Sequence, residues 1–179
     1  MADPAAVREL IEKMEEERSK LLAQAESLSA EAASQAPADA EGEAQWTAKE
    51  QYAHLAEMET AYRAWVAKAL AEDNPDLRGL RGEPVAIPLE EANDHSVTAL
   101  VTELKRQRET TLRLIEGLTP AQFDRLATNP MFGTLNVLQW LRSYYRHDRM
   151  HLDQIAGRQP EYRPRFAGGR EPDQRRPPG

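Results

Sequence analysis

Four stretches of this chain repeat apolar residues at the spacing of an α-helix, and this periodicity limits the fold more than any other sequence feature. The first stretch covers residues 4–33, where apolar positions lie three, four or seven residues apart with charged residues between them. The apolar stripes of the other three span residues 50–69, 97–118 and 137–155. No segment alternates with the two-residue period of a β-strand. We therefore expect four amphipathic helices and no sheet.

Four helices with one apolar face each bury those faces against one another, so the expected fold class is all-α, a four-helix bundle. The bundle is assigned to residues 1–157, and the Pro- and Arg-rich segment 158–179 is expected to form an irregular C-terminal tail. Residues 34–45 are interpreted as a polar loop, 73–92 as a long Gly- and Pro-containing loop and 121–132 as a connector. These long connections leave the order of the helices around the bundle open.

Several polar residues predict where the helices begin. Thr47 and Glu50 form a capping box, in which each side chain accepts a hydrogen bond from a backbone N–H at the helix start. Asn93 or Asp94 is expected to cap the third helix, and Thr134 the fourth. These assignments place the three helices that follow the first loop.

Composition narrows the class of function. The net charge of −7 argues against a nucleic-acid partner, which would need a positive surface. No apolar run approaches the roughly 20 residues of a membrane span, so we expect a cytoplasmic protein without a membrane partner. The chain has no cysteine, which excludes disulfides, a thiolate nucleophile and thiolate metal ligands. A thiol in the chemistry would therefore have to come from a substrate.

Three of the four histidines are predicted to lie on inward helix faces. His147 and His151 are one helical turn apart, so both imidazoles leave the same face of the fourth helix. His54 falls on the apolar stripe of the second helix, whereas His95 sits at a helix start and matches no ligand position. Three neutral imidazoles with an open position are a common ligand set for a reactive divalent metal. The alternative is that each buried histidine pairs with a Tyr or Glu in a purely structural bundle.

Two further residues are candidates for catalysis. Tyr144 precedes His147 by one turn and can act as an acid or donate to a substrate; the alternative is packing with its hydroxyl at the rim. Arg108 interrupts the apolar stripe of the third helix. It can bind a substrate carboxylate as a bidentate fork, or extend its head to solvent. Asp148 is expected either to orient an imidazole or to form a salt bridge.

Two motifs give the chain a family resemblance. One is Trp46-Thr47-x-x-Glu50-x-x-x-His54-Leu55, and the other runs from Gly133-Thr134-Leu135 to Tyr144-x-x-His147-Asp148-x-x-His151-Leu152-x-Gln154-Ile155. Together they resemble the signatures of the DinB/YfiT-like metalloenzyme superfamily over roughly residues 5–157. The resemblance implies a four-helix bundle, often dimeric, in which His54, His147 and His151 hold one divalent metal, commonly nickel or zinc.

The same resemblance implies a class of chemistry. Activities in the superfamily include thiol-dependent transferases and isomerases that use bacillithiol or mycothiol. The expected function is thus a metal-dependent thiol S-transferase or isomerase acting on small molecules, with a small-molecule thiol and an electrophile as partners and a homodimer as the assembly. The alternative is a non-catalytic, stress-related metal-binding or small-ligand-binding protein.

Overall fold

A computed structural model describes residues 2–164, and four long helices dominate it. The helices are α1 Pro4–Ser27, the short α2 Ala30–Ala33, α3 Ala48–Ala71, α4 Val97–Glu116 and α5 Val137–Ile155. Short 3₁₀ helices cover Gly42–Gln45, Leu89–Asp94 and Gln122–Asp124, and two strands are β1 Leu126–Asn129 and β2 Gly133–Asn136. The predicted all-α four-helix bundle is confirmed.

The helices are not arranged around the bundle in chain order. α1 packs against α4 and α5, and α3 packs against the same two helices. Consecutive long helices α1 and α3 therefore lie on one diagonal, with α4 and α5 on the other. Within residues 2–164, no helix combines the length and apolarity that crossing a membrane requires.

The expectation of no strand was wrong. β1 and β2 form an antiparallel hairpin in which Leu126 pairs with Asn136 and Asn129 pairs with Gly133. Gly133 has a φ of 82°, which glycine adopts without strain. Each strand has only four residues, too few to display an alternating pattern over a usual window. The hairpin is joined to the loop after α3, because Leu77 N–H donates to Thr128 O at 2.8 Å.

Two predicted caps were also wrong, for reasons of local geometry. Asn136, not Thr134, caps α5 in a capping box with Gln139, because Thr134 is taken up by β2. Ser96 caps α4, since Asn93 and Asp94 belong to the preceding 3₁₀ helix. The Thr47–Glu50 capping box at α3 is confirmed.

The first predicted helix, residues 4–33, is in fact two helices. α1 ends at Ser27, and the hydroxyl of Ser29 accepts a hydrogen bond from Ala32 N–H at 3.1 Å, which starts α2. The segment 34–45 is a loop, as predicted, up to its last turn, the 3₁₀ helix Gly42–Gln45. This turn buries the side chain of Glu43.

The core has two apolar clusters separated by a layer of charge. One cluster includes Met14, Trp65 and Trp140, and the other includes Leu21, Tyr52 and Leu104. At the level between them each long helix contributes one buried charged side chain, which we call the charge layer: Arg18, Glu59, Arg108 and Asp148. Each arginine contacts both carboxylates. Two positive charges balance two negative ones, so the layer is neutral.

Residues 158–164 are irregular and run back along α5. The Asp153 carboxylate accepts hydrogen bonds from the Arg158 guanidinium at 2.9 Å and from Glu161 N–H at 3.1 Å. The remainder of the predicted tail, residues 165–179, lies outside the described residues.

Candidate metal centre

Three imidazoles and one carboxylate meet near one point between α3, α5 and the Gly42–Gln45 turn. The side chains are Glu43, His54, His147 and His151, and one ligand atom of each lies within 4.8 Å of the others. Nε2 of His147 and Nε2 of His151 are 2.9 Å apart. A cation about 2.1 Å from each ligand atom leaves adjacent ligand atoms roughly 3 to 4 Å apart. The spacing suits a single divalent ion.

Glu43 is the residue that joins the three histidines. Its Oε1 lies 3.3 Å from Nε2 of His54, and its Oε2 lies 3.3 Å from Nε2 of His151 and 4.0 Å from Nε2 of His147. The carboxylate therefore faces the same point as all three imidazoles.

Two buried atoms of the cluster have no hydrogen bond. Glu43 and His54 are each 1% exposed, and although Oε1 of Glu43 lies 3.3 Å from Nε2 of His54, neither atom forms a hydrogen bond with a described residue. A buried polar atom left unpaired costs about 1–3 kcal/mol. A cation between them would satisfy both atoms at once. The donor set thus fits a divalent metal.

His151 is held by a hydrogen bond outside the cluster. Its Nδ1 lies 2.8 Å from Oε1 of Gln51, which can only accept, so Nδ1 carries the proton and Nε2 directs a lone pair at the cluster. The Gln51 amide is itself oriented by donating from Nε2 to the carbonyl of Trp46 at 3.3 Å.

The protonation states agree with metal binding. Burial lowers the pKa of His54 to about 3, despite the opposing charge of Glu43, and the other two histidines lower it further. Burial also lowers the pKa of His151. For Glu43, burial raises the pKa, but the neighbouring imidazoles of His54, His147 and His151 outweigh it, so the pKa is well below its usual value. At neutral pH His54 and His151 present lone pairs and Glu43 a negative charge.

Sequence reasoning located three of these four residues. The structure brings His54, His147 and His151 together as expected from their helix faces. Glu43 was missed because it lies in the segment interpreted as a polar loop, where no periodicity indicates which side chain points inward. His95 is remote from the cluster, half-buried and 4.0 Å from Glu91.

Tyr144 and Arg108 are buried in the bundle, and their polar groups contact other residues of the protein. The Tyr144 hydroxyl donates to the carbonyl of Glu59 at 3.3 Å. Arg108 is 4% exposed, so its head does not reach solvent, and its carboxylate partners are Glu59 and Asp148 of the protein itself. Asp148 thus forms salt bridges rather than orienting an imidazole. A catalytic role for Tyr144 or Arg108 stays a prediction without a contact that supports it.

A cavity of about 410 Å³ opens onto the cluster. Glu43 and His147 form part of its wall, and neither Tyr144 nor Arg108 does. Most of the remaining wall is apolar or aromatic: Met58, Tyr62, Phe132, Leu135, Trp140 and Met150. A small molecule in this cavity would lie next to the four candidate ligands and largely away from water.

Comparison with known proteins agrees with this geometry. Residues 13–155 match the DinB superfamily. A solved structure, YfiT from Bacillus subtilis, is similar with a TM-score of 0.69 over 88% of this chain and 87% of its own, at 18% sequence identity. It is described as a probable metal-dependent hydrolase with an unusual four-helix bundle topology; at this identity the likeness bears on the fold alone. A comparison with curated proteins found no match. Because the family match covers most of its length, the chain belongs to the DinB superfamily.

Proposed function

We propose that this protein is a metal-dependent enzyme acting on a small molecule, with His54, His147 and His151 holding one divalent ion, nickel or zinc. The observation that carries the proposal is the convergence of three imidazoles and Glu43 beside a cavity, where Glu43 Oε1 and His54 Nε2 are buried without a hydrogen bond. In a purely structural bundle these buried atoms would be expected to form hydrogen bonds, because a buried polar atom without one costs stability.

The metal site, Glu43 and the apolar wall of the cavity have different roles in this proposal. A divalent ion in the cluster would lower the pKa of a nucleophile that it coordinates. Glu43 carries a negative charge and lines the cavity, so its carboxylate is within reach to accept the proton that the nucleophile releases. The apolar wall excludes water and so strengthens the electrostatic interactions inside.

The nucleophile we favour is an external thiol, and the reaction a thiol S-transfer or isomerisation. The chain has no cysteine to supply a thiolate, and a thiolate is a preferred ligand of zinc. Hydrolysis is the second candidate. Glu43 favours it, because a carboxylate beside a metal can take a proton from water as well as from a thiol.

Metal analysis and turnover of one set of variants test the proposal. Protein purified without an affinity tag is expected to hold near-stoichiometric metal, which His54→Ala and His147→Ala lose and the control His95→Ala keeps. Glu43→Gln is expected to keep the metal, because three imidazoles remain, but to lose about 100-fold or more in turnover. Turnover is measured with small thiols plus epoxides or haloarenes, and with esters and amides for hydrolysis.

The outcomes separate the alternatives. Metal that survives in His54→Ala would overturn the proposed centre. Metal binding without turnover of any thiol or hydrolytic substrate would favour the non-catalytic metal-binding alternative. Turnover of esters or amides alone would replace thiol transfer by hydrolysis. The expected homodimer is a separate proposal, checked by light scattering of the purified protein.

A further inference from the structure

The wall of the cavity beside the metal centre carries charges of both signs. Glu43 is the one acidic side chain among the described residues of its wall. Arg146 and Arg163 also line it, although the whole chain carries a net charge of −7. The cavity wall is therefore richer in positive charge than the acidic protein as a whole.

Arg146 is positioned without using its hydrogen-bonding capacity. Its guanidinium carbon lies 5.9 Å from the ring centre of Tyr145 and 5.6 Å from that of Tyr162, so aromatic faces hold the cation. Among residues 2–164 no carboxylate forms a salt bridge with it, whereas the nearby Arg149 pairs with Glu17, Asp153 and Glu161. Arg163 differs, because it donates to Gln159. Arg146 therefore keeps its N–H donors for another acceptor.

We propose that Arg146 binds an anionic group of the substrate, so that the substrate class is a small molecule with an apolar body and one carboxylate, sulfonate or phosphate. This inference deepens the proposed function, because it assumes that the cavity is the substrate site. Arg146 and His147 are consecutive residues of α5 and both line the cavity, so one small molecule there could meet the arginine and the metal centre. Tyr62, Phe132 and Trp140 give the cavity an aromatic wall, which favours an apolar or aromatic body.

Two probes of matched shape test this assignment without turnover. Phenylmethanesulfonate carries the anion, and benzyl methyl sulfone is its neutral counterpart; both are weak metal ligands, so binding reports the arginine. Their affinities are measured by titration calorimetry at physiological salt, where exposed charges beyond about 8 Å are screened. Each probe is titrated into metal-free and zinc-loaded protein.

The wild-type protein is expected to bind the sulfonate about tenfold or more tightly than the sulfone. Arg146→Gln is expected to lose this preference while its sulfone affinity stays unchanged. Arg142→Gln is the matched control, because Arg142 lies one turn earlier in α5 and does not line the cavity. Equal affinity for both probes in the wild type, an unchanged preference in Arg146→Gln, or an equal loss in Arg142→Gln would overturn the inference. An Arg146-dependent preference in a protein that shows no turnover would leave the inference standing and reject the enzymatic proposal.

Discussion

At the scale of single residues, the hydrogen bond from His151 Nδ1 to Gln51 determines which nitrogen faces the metal centre. Without this acceptor the imidazole could carry its proton on either nitrogen, and Nδ1 would lose its hydrogen bond. Gln51 lies one helical turn before Leu55 and three residues before His54, so one helix supplies both a candidate ligand and the residue that orients another.

Replacing Gln51 is therefore expected to weaken metal binding without removing a ligand. Gln51→Leu should lower zinc affinity about 10–100-fold, the usual effect of losing such an orienting partner. Gln51→Glu keeps an acceptor at the same place and should retain affinity. Competition with a zinc chelator measures both. A native affinity in Gln51→Leu would mean that packing alone fixes the His151 ring.

The residues of the site differ in how visible they are in the sequence. His54, His147 and His151 lie on long helices, where a spacing of three or four residues defines a face and makes the inward direction predictable. Glu43 lies in a 3₁₀ turn whose orientation follows from Gly42, with a φ of 61°, and from packing against α5. No short-range sequence pattern predicts such packing, so the inward direction of Glu43 could not be predicted.

At the scale of elements, the charge layer ties the four long helices together. Arg18 Nη2 lies 2.6 Å from Glu59, and Arg108 Nη2 lies 2.8 Å from Asp148. Each arginine also donates to a helix carbonyl, Arg18 to Leu104 and Arg108 to Met14, at 2.7 and 2.6 Å. The layer thus sets the register of α1 against α4 as well as balancing charge.

Removing one charge of the charge layer should lower the free energy of unfolding more than removing one arginine together with one carboxylate. Arg108→Met leaves two buried carboxylates with one arginine and should lower the free energy of unfolding by about 3–5 kcal/mol. Arg108→Met with Glu59→Met keeps the Arg18–Asp148 pair and restores neutrality. Urea unfolding of the wild type, both single variants and the double variant measures the coupling. We expect a coupling of about 1–3 kcal/mol; additive losses would show that the four charges act independently.

Long elements could be predicted from the sequence, and short ones could not. Long amphipathic helices were found because their stripes recur over many turns, and Thr47–Glu50 marked a helix start within one residue. The β1–β2 hairpin was missed because four-residue strands carry little pattern, and its pairing displaced the cap from Thr134 to Asn136. The diagonal placement of α1 and α3 depends on which faces fit together, and helical periodicity does not contain that information.

At the scale of the whole molecule, metal binding and folding are linked, because the candidate ligands come from α3, α5 and the Gly42–Gln45 turn. In the metal-free protein the buried Glu43 Oε1 and His54 Nε2 have no hydrogen bond, which opposes folding. A metal that binds the folded state alone stabilises it, by about 2.7 kcal/mol at a free concentration 100 times its dissociation constant.

The melting temperatures of the wild type and of His54→Leu should therefore rank in opposite orders with and without metal. Zinc at that concentration is expected to raise the melting temperature of the wild type by about 5–10 °C, as follows for a domain of this size. His54→Leu replaces an unpaired buried imidazole by an apolar side chain, so in a chelator it should melt at or above the wild-type temperature. With zinc it should melt below the wild type, because the ligand set is incomplete. His95→Leu, outside the cluster, should respond to zinc as the wild type does. If His54→Leu were the less stable protein in the chelator as well, His54 would stabilise the bundle without a metal, and its unpaired nitrogen would no longer argue for one.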